Sequence, residues 1–542
     1  MSYVHIAYGG PTLMELLSLQ FVLLLLAALA AYYALGRTKP EAQWYVLLAA
    51  SLTFYIFAGS WQTLLLLLLT SADIWAAGLW LARLDSEAKA ARKATKDRAE
   101  RKALKERYHQ KRWHAFWIAL VLPLVILGFF KYLNVLLFNF GAADSPTSLG
   151  ILLPLGISFY TFQCIGYLID AYNAKYAPEQ NYLRFLLFAS WFPQIIQGPI
   201  GRYDQLSGQL FASRSADVHG MRKGLLRLGY GLFKKLAIAN VLAHNVSMVF
   251  GNVTPGIPGS VVLYGVLVYS IQMYADFSGG IDIVEGVSEL FGVQMAQNFR
   301  QPYFSVSLAD FWRRWHMSLG SWMRDYIFYP IALTKPMQSF GKWAKAKLGT
   351  HAGRTLPACV ANILVFLLVG VWHGADWHYV GWGLYNGVIV AVSDLLAPAF
   401  RSLKERLRIA DDATWFRVFA VVRTFCVVNV GRYFDCVKSL SDSFTCIHAT
   451  LFNLAPVPFR QALALAGIEG AEMFGISRIA LVACVVIAVV SWHAEKGTDV
   501  RERVLSWHPV ARCCLYLGMA ALVLYAFDFT TNGGGGFLYA NF

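Results

Sequence analysis

Charged residues are scarce in this chain of 542 amino acids: Asp, Glu, Lys and Arg make up 15%, and hydrophobic residues make up 57%. A soluble globular protein usually carries about 25% charged residues, so the composition excludes that class. Several apolar runs reach the roughly 20 residues that an α-helix needs to cross a bilayer, and clear examples begin at Leu16, Trp61 and Phe116. The sequence therefore predicts an all-α, polytopic transmembrane bundle, with about ten to twelve spans and shorter embedded segments between them.

Paired cysteine motifs are also absent. The eight cysteines form no CxxC pair and no cluster with histidine, and most lie in or beside apolar runs. Zinc sites are built from such pairs, so we expect no bound metal. No nucleic-acid motif accompanies the formal charge of +15. Positive-inside topology and contact with anionic membrane lipids account for that charge, and nucleic acid is not an expected partner.

Lys and Arg are missing from the first 17 residues, whereas residues 83–113 contain 12 of them against 5 Asp and Glu. The positive-inside rule puts that basic segment, which has helix-forming composition, in the cytoplasm. Three spans precede it, so we expect an extracytoplasmic N-terminus. The first span has no basic residues before it and more spans after it, unlike a cleaved signal peptide. Residues 493–512 are also basic, so the last span should carry the C-terminal tail outward.

Two histidines stand in tryptophan-rich embedded segments. A Ser307 and Asp310 capping pattern predicts a helix that begins near Leu308 and presents His316 on one face with Trp312, Trp315 and Leu319. His373 ends a long apolar run, and Gly374 can terminate that helix. Each histidine by itself is compatible with an interfacial, merely hydrogen-bonded side chain. Together they favour function, because an ionisable residue within the membrane is costly and imidazole can act as a base near neutral pH.

Two further polar segments interrupt the apolar pattern. In residues 274–283, Asp276 follows an apolar run that we expect Gly279 and Gly280 to break. In residues 189–205, two prolines and two glycines preclude a simple spanning helix. Non-helical backbone at membrane depth is tolerated only inside protein or beside a cavity. We therefore expect a helical bundle with an internal cavity, although these segments do not identify a reaction.

A set of ordered motifs carries a resemblance to a known family. They are LPLGISFYTFQ (153–163), FPQIIQGPIGR (192–202), YADFSGG (274–280), NFRQPY (298–303), DFWRRWHMSLGSWMRDY (310–326) and WHGADW (372–377). At these residues the chain resembles the membrane-bound O-acyltransferase family, and within it the bacterial branch of alginate O-acetyltransferases and teichoic-acid D-alanyl transferases. The resemblance implies a ring of tilted helices around a funnel, with re-entrant segments. It also implies an N-terminal region with the basic loop (1–115), a catalytic core (116–400) and a C-terminal helical extension (401–542).

The resemblance also implies roles for particular residues. His373 would be the catalytic histidine and His316 a second functional histidine. Supporting residues around the substrate tunnel would be Asp276, Trp312, Arg313, Arg314, Trp315, Trp372 and Asp376. The C-terminal FLYANF resembles an aromatic motif of this branch, so we expect Tyr539 to carry the acyl group transiently. No tightly bound cofactor is expected, since the acyl donor, acetyl-CoA or an acyl or D-alanyl carrier protein, is a substrate.

These features predict an O-acyltransferase of the bacterial cytoplasmic membrane with both termini outside. It would acylate, most simply acetylate, a cell-envelope or secreted polysaccharide together with a separate extracytoplasmic acyltransferase. The element after MRDYIFYP departs from the Gly-Gly-Asn-Arg of alginate-type enzymes, so D-alanyl transfer to teichoic acid from a cytoplasmic carrier protein stays open. A glycan or lipid transporter is the alternative of another class, because broken helices and central polar groups also fit one.

Overall fold

The computed structural model of this protein describes residues 18–139, 154–195, 197–251, 253–374, 376–410, 412–455 and 471–530. Within these ranges the regular structure is helical and no strand occurs. Six helices have the length and composition to cross a membrane, or seven if the bent pair Trp377–Leu395 and Ala397–Arg406 is one span. The prediction of an all-α polytopic transmembrane protein is therefore confirmed.

The sequence predicted about ten to twelve membrane spans. Within the described residues, only six or seven helices are long and apolar enough to be spans. The six that qualify are Leu19–Thr38, Trp61–Ala94, Arg98–Leu133, Gly259–Leu290, Lys335–His373 and Thr414–Asp435. Two other apolar segments form helices of only 16 residues, Gln43–Ala58 and Ile157–Tyr172. Such a helix is about 24 Å long at 1.5 Å per residue, shorter than the hydrocarbon core of a bilayer.

One compact unit comprises residues 1–225 and 284–296. Its helices up to residue 210 are α1 (Leu19–Thr38), α2 (Gln43–Ala58), α3 (Trp61–Ala94), α4 (Arg98–Asn139), α5 (Ile157–Tyr172), α6 (Tyr182–Ser190) and α7 (Tyr203–Leu210). The basic segment 83–113 forms the adjoining ends of α3 and α4, which break between residues 95 and 97. The backbone between α6 and α7 is non-helical where it is described, as its prolines and glycines predicted.

The other compact unit comprises residues 226–283 and 297–542. From residue 218 onward the helices are α8 (Val218–Lys234), α9 (Asn240–Phe250), α10 (Gly259–Leu290), α11 (Leu308–Arg314), α12 (Met317–Met323), α13 (Tyr329–Ala332), α14 (Lys335–His373), α15 (Trp377–Leu395), α16 (Ala397–Arg406), α17 (Thr414–Asp435), α18 (Leu440–Phe452), α19 (Ala471–Glu495), α20 (Val500–Leu505) and α21 (Pro509–Thr530). A π-helical turn, Lys235–Ala239, joins α8 to α9. Both candidate histidines belong to this unit.

Helix α10 continues through the two glycines that were expected to break it, so that prediction is wrong. Gly279 instead permits close packing against α8. A Cβ atom there would lie 3.0 Å from the carbonyl oxygen of Gly231 and 3.2 Å from the backbone nitrogen of Lys235. Glycine keeps its backbone N–H, so helix hydrogen bonds are maintained while two backbones approach closely.

Helix α14 does not run straight. Gly349 adopts a φ of +92° and ψ of 173°, which divides the helix into a basic N-terminal arm and an apolar C-terminal arm. L-amino acids with side chains rarely adopt this positive φ, so glycine is the residue suited to the kink. The apolar arm ends at His373 as predicted.

Candidate active site

His373 lies at the last position of α14, where the chain turns into α15. Gly374 follows in an extended conformation, and a Cβ atom on it would lie 2.5 Å from the ring of Tyr379. The imidazole of His373 stacks near Tyr379 with ring centroids 6.1 Å apart, and it meets the ring of Trp382 edge-on at 5.2 Å. Two aromatic side chains of α15 therefore fix the position of this imidazole.

His316 lies between two short helices rather than on one continuous helix. Ser307 caps α11 by accepting a hydrogen bond from the backbone N–H of Asp310 at 3.1 Å, and the helix begins at Leu308 as predicted. It ends at Arg314, however, and His316 adopts left-handed angles of φ 47° and ψ 52° before α12 begins. The prediction of one helical face shared by four side chains is therefore wrong.

The segment that follows α10 holds this break in place. The backbone N–H of Met317 donates to the carbonyl oxygen of Asn298 at 3.0 Å, and that of Arg300 donates to the carbonyl oxygen of Arg314 at 3.0 Å. A left-handed residue other than glycine costs roughly 1–2 kcal/mol. These bonds satisfy backbone groups that an unbroken helix would otherwise have paired. The strained position of His316 is thus specified by its tertiary surroundings.

The Asn298 side chain sets the tautomer of His316. Its Oδ1 atom accepts hydrogen bonds from the backbone N–H of Ser318 at 3.1 Å and from the Ser318 hydroxyl at 2.8 Å. Because a backbone N–H can only donate, the atom that faces it is the amide oxygen. Nδ1 of His316 lies 3.1 Å from the same oxygen, so Nδ1 carries the proton and Nε2 is the basic nitrogen.

His316 is buried, with 3% of its surface exposed, and it lies outside the six spanning helices. Burial lowers the pKa of its imidazole from 6.5 to about 3, because desolvation disfavours the charged form. At neutral pH this side chain is therefore a neutral imidazole. It can accept a hydrogen bond, but it can hold an added proton only transiently.

Both histidines line one cavity of about 500 Å³. Of the other residues singled out from the sequence, Trp312, Arg313 and Trp315 also line it. The indole N–H of Trp312 donates to Oδ1 of Asn386 at 3.2 Å. The structure thus brings residues from two distant sequence motifs to one chamber, whose wall combines aromatic, aliphatic and charged side chains.

Four predicted supporting residues do not line this cavity. Trp372 is buried beside both histidines, with its ring centroid 6.3 Å from His316 and 5.0 Å from His373. Arg314 instead forms ion pairs with Asp310 at 3.2 Å and with Glu495 at 2.8 Å. The second pair connects α11 to the C-terminal end of α19. The two remaining residues are Asp276 and Asp376.

Asp376 lies 3.3 Å from Nδ1 of His378, and the hydrogen bond from His378 lowers the pKa of this carboxyl below its usual range. Asp276 forms a fully buried ion pair with Lys235, with a distance of 2.6 Å between its Oδ1 and the Lys235 ammonium. Asp276 is therefore engaged in a buried ion pair and Asp376 in a contact with His378, and neither aspartate lines the cavity. Tyr539 lies outside the described residues.

Sequence reasoning missed several residues of the site. Tyr379, Trp382, Arg432 and Asp435 line the cavity, and Asn298 holds His316. Asn298 stands in the quoted motif NFRQPY but had no role assigned to it. Arg432 and Asp435 end the spanning helix α17 at i, i+3 spacing, and two opposite charges at that spacing in an apolar run could have indicated them.

The arrangement suits chemistry that needs a positioned base away from bulk water. No group of three His, Cys, Asp or Glu side chains that could hold a metal ion occurs within the part of the chain that the structure describes. An imidazole near neutral pH can accept the proton of a hydroxyl. A chamber of about 500 Å³ falls within the size range of ligand pockets.

The comparisons with known proteins define the class. The model of the membrane-bound O-acyltransferase family matches residues 108–429. This match covers more than half of the chain, so the chain belongs to that family. Membership places it among O-acyltransferases, and the long apolar helices make it a multi-pass membrane protein.

The relatives to which this chain is similar include alginate O-acetylases, a peptidoglycan O-acetyltransferase and a teichoic acid D-alanyltransferase. The chain is 32% identical to the probable alginate O-acetylase of Pseudomonas aeruginosa over 74% of this chain and 68% of that protein. It is 26% identical to the peptidoglycan O-acetyltransferase of Helicobacter pylori over 78% of this chain and 82% of that protein. It is 28% identical to the teichoic acid D-alanyltransferase of Bacillus subtilis over 52% of this chain and 67% of that protein. It is also 36% identical to the probable alginate O-acetylase of Azotobacter vinelandii, and that match spans 53% of this chain and 54% of that protein.

Proposed function

We propose that this protein transfers an acyl group, preferably acetyl, from a cytoplasmic thioester to a hydroxyl for O-acylation of a cell-envelope or secreted polysaccharide. The observation that carries the proposal is that His316 and His373, 57 positions apart in the sequence, line one cavity of about 500 Å³. Relatives whose names specify O-acetylation of alginate and of peptidoglycan support the acetyl group and the glycan.

His373 is the general base in this proposal. Its imidazole takes the proton of the attacking hydroxyl while the hydroxyl oxygen forms a bond to the carbonyl carbon of the thioester. The carbonyl electron pair moves to the carbonyl oxygen, which gives a tetrahedral intermediate. On collapse the pair returns, the bond to sulfur breaks, and the thiolate takes the proton from the imidazolium. The products are an ester and a free thiol.

His316 has a positioning role in this scheme. Its Nδ1–H donates to Asn298, so Nε2 is the nitrogen that can accept a hydrogen bond from a substrate hydroxyl. Its burial keeps it neutral at pH 7, which suits an acceptor better than a group that must hold a proton. Trp312 and Trp315 shape the cavity, and Trp372 supports both imidazole rings.

Transfer across the membrane uses an acyl-tyrosine relay in this proposal. His373 first activates the hydroxyl of Tyr539, which accepts the acyl group and carries it on the extracytoplasmic side. A separate extracytoplasmic acyltransferase then moves the group to the glycan. The absence of Lys and Arg from residues 513–542 supports an outward tail in the bacterial cytoplasmic membrane.

D-alanyl transfer is the second candidate. The relation to the Bacillus subtilis enzyme favours it, since that protein's name specifies D-alanylation of teichoic acid. The donor would then be a D-alanyl carrier protein that docks on the cytoplasmic face. The same base and the same cavity would serve either acyl group.

The test is mass spectrometry of the C-terminal peptide from protein purified out of its native membrane under conditions that preserve esters. An acetyl adduct on Tyr539 that is absent from a membrane-inserted His373→Ala variant would support the relay and acetylation. An alanyl adduct would assign D-alanylation instead. Acyl transfer that depends on His373 without any adduct would refute the relay alone, and full transfer by His373→Ala would refute the assignment of the base.

A further inference from the structure

Two exposed helical segments lie at one end of the hairpin formed by α14 and α15. The N-terminal part of α14 (residues 335–348, here called the basic arm) packs back on the apolar part, since a Cβ atom on Gly341 would lie 2.9 Å from the carbonyl oxygen of Gly353. Nε2 of His351 lies 3.1 Å from the carbonyl oxygen of Leu395, after which the chain bends by 55° into α16. The basic arm and α16 are therefore at the same end of this hairpin.

The basic arm carries a positive charge that no neighbouring acid along the chain offsets. No Asp or Glu occurs from residue 326 to residue 375. The basic side chains of the arm are all exposed: Lys335, Lys342, Lys345 and Lys347. Between residues 394 and 412, by contrast, four basic residues are balanced by four acidic ones. The excess of cations at this end of the hairpin therefore belongs to the basic arm.

Helix α16 marks the level of the membrane surface. None of its residues is buried. Large apolar side chains follow one face of this segment and are 42–61% exposed: Leu396, Phe400, Leu403 and Leu407. An amphipathic helix with such a stripe lies in the plane of the membrane interface, with the stripe turned toward the acyl chains. The basic arm, at the same end of the hairpin, is therefore at the level of the lipid headgroups.

Loop charge places this end of the hairpin on the cytoplasmic side. The positive-inside rule puts the lysines of the basic arm in the cytoplasm, and the same rule puts the basic residues 493–512 there. These two assignments agree, because Arg417, near the start of α17, forms an ion pair with Glu495 at 3.4 Å. The chain that follows α16 and the end of α19 are thus on one side.

The outer face of the basic arm combines cations with an exposed aromatic ring. Phe340 and Ala344 turn toward the protein and are half-buried and buried, respectively. Trp343 is 53% exposed, and its ring stacks on Phe340 with centroids 5.7 Å apart. Tryptophan is enriched at the headgroup level of membranes, and lysine extends its ammonium toward phosphate there. An acidic soluble partner would account for the lysines but not for the exposed apolar side chains beside them.

We propose that the outer face of the basic arm binds the anionic headgroups of phospholipids in the cytoplasmic leaflet. The lysines contact headgroup phosphates, and Trp343 lies at the boundary with the acyl chains. Helix α13 joins the arm to Tyr329 of the cavity wall, so this lipid site adjoins the chamber without belonging to it. The inference concerns lipid binding and does not depend on the proposed acyl transfer.

The test places the protein in nanodiscs of phosphatidylcholine with and without phosphatidylglycerol, and native mass spectrometry counts the lipids that stay bound after release. The wild type is expected to retain phosphatidylglycerol in preference to phosphatidylcholine. This preference should fall about fivefold or more in the variant Lys335→Gln/Lys342→Gln/Lys345→Gln/Lys347→Gln, because one lysine at an anionic surface contributes about a factor of five.

The matched control removes four lysines from the basic segment 83–113: Lys93→Gln/Lys96→Gln/Lys102→Gln/Lys105→Gln. These lysines are exposed and stand about 10 residues or more from the apolar part of α3 or α4, which is about 15 Å along a helix. That exceeds the screening length of about 8 Å at physiological salt. The control has the same net charge as the first variant and is expected to keep the wild-type lipid preference.

Melting temperatures separate lipid binding from a folding defect. The three proteins should melt alike in phosphatidylcholine, and phosphatidylglycerol should stabilise the wild type and the control more than the variant of the basic arm. A folded variant with the wild-type preference overturns the inference, and so does an equal loss in the control. If the preference is unchanged while KM rises for a carrier-protein donor but not for acetyl-CoA, the arm docks an acidic carrier protein and the lipid inference is wrong.

Discussion

Nδ1 of His316 lies 3.1 Å from Oδ1 of Asn298, and that oxygen is oriented by the backbone N–H of Ser318 at the same distance. The pair fixes both the tautomer and the ring orientation of the second histidine. Asn298 also accepts a backbone hydrogen bond from Met317 at 3.0 Å, so one residue holds the imidazole and the bend beneath it. The position of His316 therefore depends on a side chain 18 residues away.

We expect Asn298→Ala to lower kcat by about 10–100-fold, because a misplaced catalytic group costs up to about 10² in rate. Asn298→Asp should keep the acceptor but place a carboxylate beside the imidazole, which raises the pKa of His316. The acid limb of its kcat/KM profile should then move to higher pH. Kinetics of acyl transfer against pH provide the measurement, and an unshifted profile in Asn298→Asp would contradict the role given to this pair.

We expect His373→Ala to lower acyl transfer by about 10²–10⁴-fold, the usual contribution of a general base, without loss of membrane insertion. His351→Gln is the matched control, because His351 lies on the same helix but is exposed and bonds the carbonyl oxygen of Leu395. It should retain full activity. Rates of thiol release and melting temperatures of the two variants check this, and equal activity in both would remove His373 from the mechanism.

The depressed pKa of His316 predicts a loss of stability in acid. Its value falls from 6.5 to about 3 on folding, so below pH 6.5 the unfolded chain binds a proton that the folded chain does not. Between pH 6.5 and 5 this single group should lower the free energy of unfolding by about 2 kcal/mol, at roughly 1.4 kcal/mol per pH unit.

The contribution of His316 is isolated by comparison with His316→Asn, since asparagine tolerates left-handed backbone angles and does not titrate here. Denaturation in detergent at pH 7 and pH 5 should show a smaller loss in the variant than in the wild type. Identical losses would mean that other groups govern the acid sensitivity.

Asp276 is expected to act on stability through its ion pair with Lys235 rather than on chemistry. Both side chains are 2% exposed, and removal of one partner leaves a buried charge. Lys235→Met should therefore cost about 3–5 kcal/mol, and Lys235→Met/Asp276→Leu should recover much of it. Melting temperatures and acyl-transfer activity per folded molecule test this. A folded double variant without acyl transfer would show that Asp276 has a role in the reaction.

The sequence-based predictions succeeded where short-range patterns decide structure. The Ser307 cap started α11 at Leu308, and Gly374 ended α14 after His373, because cap chemistry is local. They failed where distant segments compete. Helical periodicity placed His316 on the face of a continuous helix, but hydrogen bonds from residues 298–300 broke that helix. Gly279 was expected to break α10, but its missing side chain serves packing against α8.

By itself the sequence determined that this is a helical membrane protein, because the length of its apolar runs decides that class. Loop charge and motif order also led to two predictions, an outward orientation of the termini and a functional role for two histidines. Only the tertiary structure decided which residues share the chamber. It placed Arg432 and Asp435 in the wall of the cavity that both histidines line, and it assigned Asp276 to a buried ion pair. The physical reason is that burial and pairing of a charge depend on the helix it faces, and helix packing, not sequence spacing, sets that partner.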